Sequence, residues 1–262
     1  MLQKRIIAAA GKILVSRRMP LALGWGLALL AMAAFSALGS WQLGRAKQKQ
    51  AMLAAVQQVL AQRDSPMSMS AAADDSQATR YGWVAGQGRF ISAPAVLLDN
   101  QTRDGRVGVR AYRAFQPVAS ATPLLVELGW LPLPPDRQLP TVPLPAGVQA
   151  FRGLLTPPPS PGLVNARPAR QADGTLLVAA LDLRQLAPAL QLDALAPRVL
   201  KLDPDLPLGY ARDLEILPNT LPPERHLGYA VQWFGLALAV LVTALVLTAR
   251  TRRGKGAIGG RP

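Results

Sequence analysis

The chain has 262 residues, a formal net charge of +14, a single histidine and no cysteine. The missing thiols exclude disulfide bonds, thiol redox chemistry, cysteine-ligated iron–sulfur clusters and thiolate copper sites. The placement of charge excludes a nucleic-acid surface: ten of the 29 basic residues lie in residues 1–20 and 249–262, which hold no acidic residue, leaving 19 basic against 15 acidic in between.

Residues 1–20 form a basic tail with Lys4, Arg5, Lys12, Arg17 and Arg18. The uncharged run Leu21–Leu38 is long enough for a helix to cross about 30 Å of hydrocarbon, and predicts a transmembrane helix over residues 21–39. Ala37-Leu38-Gly39 loosely resembles a signal-peptide cleavage site. The apolar run nevertheless exceeds the roughly 7 to 15 residues of such a signal, which favours a retained helix. Five basic residues before the run, against Arg45, Lys47 and Lys49 just after it, orient its start toward the cytoplasm. Met52, Val56, Val59 and Leu60 repeat at helical spacing in a segment without proline, so residues 40–63 read as a helical extension. Residues 64–80 turn to Ser, Ala, Met and Asp and read as a solvated linker. Its Met67 and Met69 lack the His or Cys partner that a Cu(I) site wants.

Residues 81–225 carry short apolar runs bounded by Gly, Pro, Asn and Asp. The predicted strands are Trp83–Ile91, Val96–Asn100, Val109–Val118, Leu124–Leu131, Val148–Thr156, Leu176–Leu181 and Val199–Leu202, with one short helix over Asp182–Leu190 capped by Asp182. Pro132–Pro145 and Pro157–Pro161 read as extended loops. A second apolar run, Leu227–Thr248, predicts a transmembrane helix over residues 226–248. Residues 249–262 close the chain as a basic tail with Arg250, Arg252, Arg253, Lys255 and Arg261. The fold class is thus a membrane protein whose two transmembrane helices flank one extracytoplasmic, mainly antiparallel β domain, a sandwich or partly open barrel with few helices. Both termini are cytoplasmic, and in a bacterium the middle is periplasmic.

The chemistry-bearing inventory is thin. One histidine cannot build a structural zinc site, no serine-nucleophile motif is present, and Gly86-Gln87-Gly88 lacks the third glycine of a dinucleotide fingerprint. Asp203 and Asp205, around Pro204, read as a solvated turn. His226 remains. On a helix it shares a face with Tyr229, Ala230 and Trp233. Such aromatics form an interfacial anchor or, alternatively, wall a haem whose iron His226 ligates.

Gly39-Ser40-Trp41-Gln42-Leu43-Gly44-Arg45 resembles the G-x-W-Q-x-x-R signature of the Surfeit-locus cytochrome oxidase assembly family, and His226–Phe234 resembles its H-x-x-Y-A-x-Q-W-F signature. Leu98-Asp99-Asn100, Leu125–Pro132 and Arg152-Gly153 resemble family blocks in the same order. Leu128 departs from the Arg that often precedes the central Gly-Trp, and Leu176–Leu183 lacks the aromatic residue found there in many members. The resemblance implies a bacterial accessory protein of haem–copper oxidase assembly and not an enzyme, acting as haem a reaches the catalytic subunit. It implies transient binding of haem a, with His226 as axial ligand and Tyr229, Gln232 and Trp233 shaping the site. Trp41, Gln42 and Arg45 lie at the same membrane border if the helices pair. Arg45 then meets either a haem propionate or a lipid headgroup. The implied partners are the oxidase catalytic subunit, a haem a synthesis enzyme and the lipid bilayer of the inner membrane. The alternative is a scaffold without haem that stabilises an oxidase subunit.

Overall fold

The structure, a computed structural model, describes residues 21–159, 167–217 and 220–256. The N-terminal basic tail, the end of the C-terminal one and the end of the Pro157–Pro161 run lie outside them. The chain divides into two compact units: a helical unit that includes residues up to Lys49 and from Pro222 on, and a β unit of Gln50–Leu221.

Helix α1 (Leu21–Ala61) runs unbroken for 41 residues and contributes to both units. No proline interrupts its sequence, and leucine and alanine, both strong helix formers, dominate it. The helical unit pairs the first part of α1 with the C-terminal helix Pro223–Gly256. Both helices are long and apolar enough to cross a membrane, and almost none of their most apolar windows is buried. Leu30, Leu238 and Leu247 turn outward, each more than half exposed. A soluble core helix would hide such side chains.

The β unit holds nine strands: β1 (Met67–Ser68), β2 (Gly82–Phe90), β3 (Val96–Arg103), β4 (Arg106–Pro117), β5 (Leu124–Pro132), β6 (Gln149–Thr156), β7 (Ala169–Arg170), β8 (Leu176–Val178) and β9 (Val199–Leu202). All seven predicted strands are present. The two-residue β1 and β7 are too short to show a periodicity. β3 and β4 form a hairpin through Asp104-Gly105, whose φ angles of 50° and 73° match a type I′ turn. Pairing runs β2–β6–β9–β5–β4 and returns from β4 to β2, closing a ring, while β3, β8 and β7 continue the sheet beyond β4.

The sheet is mixed where a mainly antiparallel one was predicted. β1–β2, β3–β8 and β5–β9 are parallel pairs. Alternation within a strand says nothing of its neighbour's direction. Long connections, such as the one from Pro132 to Val199, let the chain re-enter at the same end.

The core fills the ring. Phe90, Phe115 and Phe151 pack with centroids 5.0 to 5.5 Å apart, each such pair adding about 0.5–1.5 kcal/mol to what area burial provides. A second cluster lies under helix α2 (Leu183–Ala189), where Leu186 and Leu190 cover Val96, Leu98 and Leu125. Asp182 caps α2 as predicted, accepting from the Arg184 and Gln185 amides at 3.0 and 3.3 Å. Pro223–Gly256 is α3. A third cluster seats Val56, from the last turns of α1, against Trp83 and Leu154.

Two sequence readings need correction. Residues 64–80 are not a solvated linker throughout. Met69 and Ala72 are buried in the ring core, in 3-10 turns capped by Ser68 and Asp74, so small and polar neighbours disguise a packing segment. Asp203 is no solvated turn residue either. It is buried and held by Arg152 at 2.5 Å, and solvation accounts only for exposed Asp205.

Candidate functional site

The helical unit is an antiparallel pair. Trp25 donates to Thr248 at 3.0 Å, Phe35 stacks on Trp233 with centroids 5.7 Å apart, and Gln42 meets His226 at 2.7 Å, so α1 ascends as α3 descends. Phe35, Gly39, Gln42, Ala46 and Lys49 follow the alternating spacing of four and three that keeps one seam of a helix against its partner. At Gly39 the helices come closest. A Cβ there would sit 2.8 Å from the Phe234 ring, so only glycine leaves the ring its place.

His226 lies in this seam and is buried, with its Nδ1 2.7 Å from Gln42 Oε1. In the orientation that turns the amide oxygen to the ring, Nδ1 carries the proton and donates. The Nε2 lone pair is then bare, and Nε2 is wholly buried without a hydrogen-bond partner. Leaving a buried polar atom unpaired costs about 1–3 kcal/mol, so the atom calls for an explanation. A neutral imidazole fixed through one nitrogen and free at the other has the donor state of a metal ligand. The residues present fit axial ligation of a haem iron in that respect. The residue is only 7 % exposed, so an iron could reach Nε2 only if the side chains over it moved.

The other predicted site residues divide in two. Trp233 joins His226 in the seam, half-buried against Phe35. Trp41 and Tyr229 are 58 % and 41 % exposed, and Gln232 is exposed as well. Arg45 is exposed and donates to Gln48 Oε1 at 2.8 Å along its own helix. The structure thus gathers His226 and Trp233 in the seam and leaves Trp41, Tyr229, Gln232 and Arg45 on outward faces. Gln42, placed at the border of His226 on the condition that the helices pair, is the one of Trp41, Gln42 and Arg45 that bonds to it; that direct bond across 184 residues was not readable.

In the β unit the family-like blocks have structural work. Gly129 has φ of 123° at a bulge, where a Cβ would lie within 3 Å of the Tyr210 and Ala211 backbone. Trp130 Nε1 donates to the Gln101 carbonyl at 3.0 Å. Glu127, one strand face away, is buried with three partners: Arg110 Nη1 at 2.5 Å, Tyr112 Oη at 3.1 Å and Lys201 Nζ at 3.2 Å. Burial pushes its carboxyl pKa up, but Lys201 and Arg110 outweigh that and hold it below the usual value. Tyr112, buried and beside the Glu127 charge, is held well above its own. Single charges of opposite sign inside apolar strands were the legible signal for this cluster. Among the described residues, no group of three or more His, Cys, Asp or Glu side chains converges as a metal site would need.

A model of the SURF1 family matches residues 29–238. That span takes in the second half of the apolar run of α1, the whole β unit and the first turns of α3 with His226. No curated protein matches the chain.

Proposed function

We propose, from the premise that this chain belongs to the SURF1 family, the Surfeit-locus family of cytochrome oxidase assembly, that it receives haem a at the paired helices and presents it to the oxidase catalytic subunit. The family is one of assembly factors, so the chain's task is to hold and orient a cargo whose chemistry is completed elsewhere. The observation that carries the reading is the 2.7 Å bond between Gln42 and His226. It joins the two signature segments, fixes the imidazole tautomer, and leaves Nε2 as an unclaimed donor for iron.

α1 and α3 act as membrane spans in this reading. Their outward leucines and valines face lipid, and the basic residues beyond them keep both termini in the cytoplasm. The β unit then works on the outer face of the inner membrane, in the periplasm. Tyr229 and Gln232 flank the haem as it enters, Trp41 lies at the headgroup level, and Arg45 meets a propionate by a charge-assisted hydrogen bond. A haem a synthesis enzyme is the donor and the oxidase catalytic subunit the acceptor.

The test is the absorbance spectrum of the detergent-purified full-length protein from cells that make haem a. The expected result is a haem band that His226→Ala abolishes while circular dichroism stays unchanged. A band that persists in the variant removes His226 as the ligand. No band in the parent protein favours the scaffold reading, in which the helix pair and β unit hold an oxidase subunit without haem.

A further inference from the structure

A cavity of about 440 Å³ opens in the β unit, within the size range of small-molecule sites. Its floor is the Glu127 cluster. Arg110, Glu127 and Lys201 all line it, with side chains only 4 %, 5 % and 6 % exposed. Two cations therefore share one carboxylate, leaving one buried positive charge in excess.

The donors are in excess as well. Both Glu127 oxygens are taken, by Arg110 and Lys201 on one and by Tyr112 and Lys201 on the other. Arg110 Nε is buried with no partner. Of the other carboxylates nearby, Arg103 holds Asp213 at 2.5 Å, Arg137 holds both oxygens of Asp99 at 2.9 Å, and Glu215 is exposed to solvent. What the floor lacks is an anionic acceptor. An unmatched buried charge is costly until it is paired.

The walls restrict what that anion is attached to. Leu98, Leu181 and Ile216 also line the cavity, and the exposed Glu215 stands among the lining residues. Apolar walls suit a hydrocarbon body, and a carboxylate at the rim disfavours a multiply charged head such as a phosphate monoester. We infer that this cavity binds a small aliphatic carboxylate, its head on Arg110 and Lys201 and its chain along the apolar wall. The inference rests on the β unit alone and stands or falls independently of haem at His226.

The experiment uses the full-length protein in lipid nanodiscs and octanoate labelled with carbon-13 at its carboxyl, followed by NMR against empty nanodiscs. Octanoate should bind above that baseline, and at least about tenfold more tightly than octanamide, which keeps the chain and loses the charge. It should also outbind acetate, which keeps the charge and loses the chain. Lys201→Met leaves a one-to-one pair of Arg110 and Glu127, and should weaken octanoate by about tenfold or more. Octanamide equal to octanoate, acetate equal to octanoate, or no binding above empty nanodiscs would each overturn the inference. The two wild-type comparisons decide it even if the variant fails to fold.

Discussion

Both units bury a polar cluster, and the two are completed differently. In the β unit both oxygens of Glu127 are bonded, by three partners from the two neighbouring strands, Arg110 and Tyr112 on β4 and Lys201 on β9. In the helix pair His226 is bonded at one nitrogen and bare at the other. A saturated carboxylate fixes a fold, because each partner loses its compensation if the carboxylate goes. A half-bonded imidazole contributes little to the fold and keeps a valence in reserve. The difference separates a structural cluster, whose only unmet demand is on the cation side, from a ligand in waiting.

The largest effect is expected at Glu127. Glu127→Ala leaves Arg110 and Lys201 buried without a counter-charge, and should destabilise the β unit by about 3–5 kcal/mol in denaturant unfolding followed by circular dichroism. Acid should do the same by degrees. The Glu127 pKa is lowered in the folded state, because Lys201 and Arg110 outweigh its burial, so in acid the unfolded chain binds the proton first. Its contribution is therefore complete above the ordinary carboxylate range and fades as pH falls through the lowered folded value. Glu127→Gln should flatten that acid limb. An unchanged limb would remove Glu127 as its source.

Gln42→Leu sharpens the other side. The substitution removes the acceptor that orients the imidazole while His226 itself stays. Outer partners of this kind are worth about 10–100-fold in metal affinity, so haem retention should fall by that factor. Denaturant unfolding of the β unit should not move. Gln42→Glu, which restores an acceptor, should recover most of the loss, whereas a merely packing role for Gln42 would give both variants the same haem content.

How much of this was legible depends on sequence distance. The seven strands and the Asp182 cap are local patterns, and their residues announce them. The parallel pairs are not local. β5 meets β9 across a connection that contains three other strands and a helix, and no alternation encodes that direction. Met69 hid among serines and alanines because one large buried side chain among small and polar neighbours leaves no periodicity. The same limit applies to the sites. His226 stood out as the lone histidine beside aromatic residues, but Gln42 became its partner only once two helices ran antiparallel. Glu127 and Lys201, 74 residues apart, are unremarkable until β5 and β9 pair.

The smallest expected effect tests how far the helix-pair site extends. Arg45 is exposed and already bonded to Gln48 on its own helix, so Arg45→Gln should shift stability by no more than about 0.5 kcal/mol. As a propionate contact it is a solvent-screened ion pair, worth up to about 1 kcal/mol. The haem-to-protein ratio should accordingly fall only a few-fold at low salt. Raising the salt should bring the parent protein down to the variant, because screening removes the same interaction that the substitution removes. Equal ratios at low salt would confine the site to the seam of Gln42, His226 and Trp233 and leave Arg45 to the lipid headgroups.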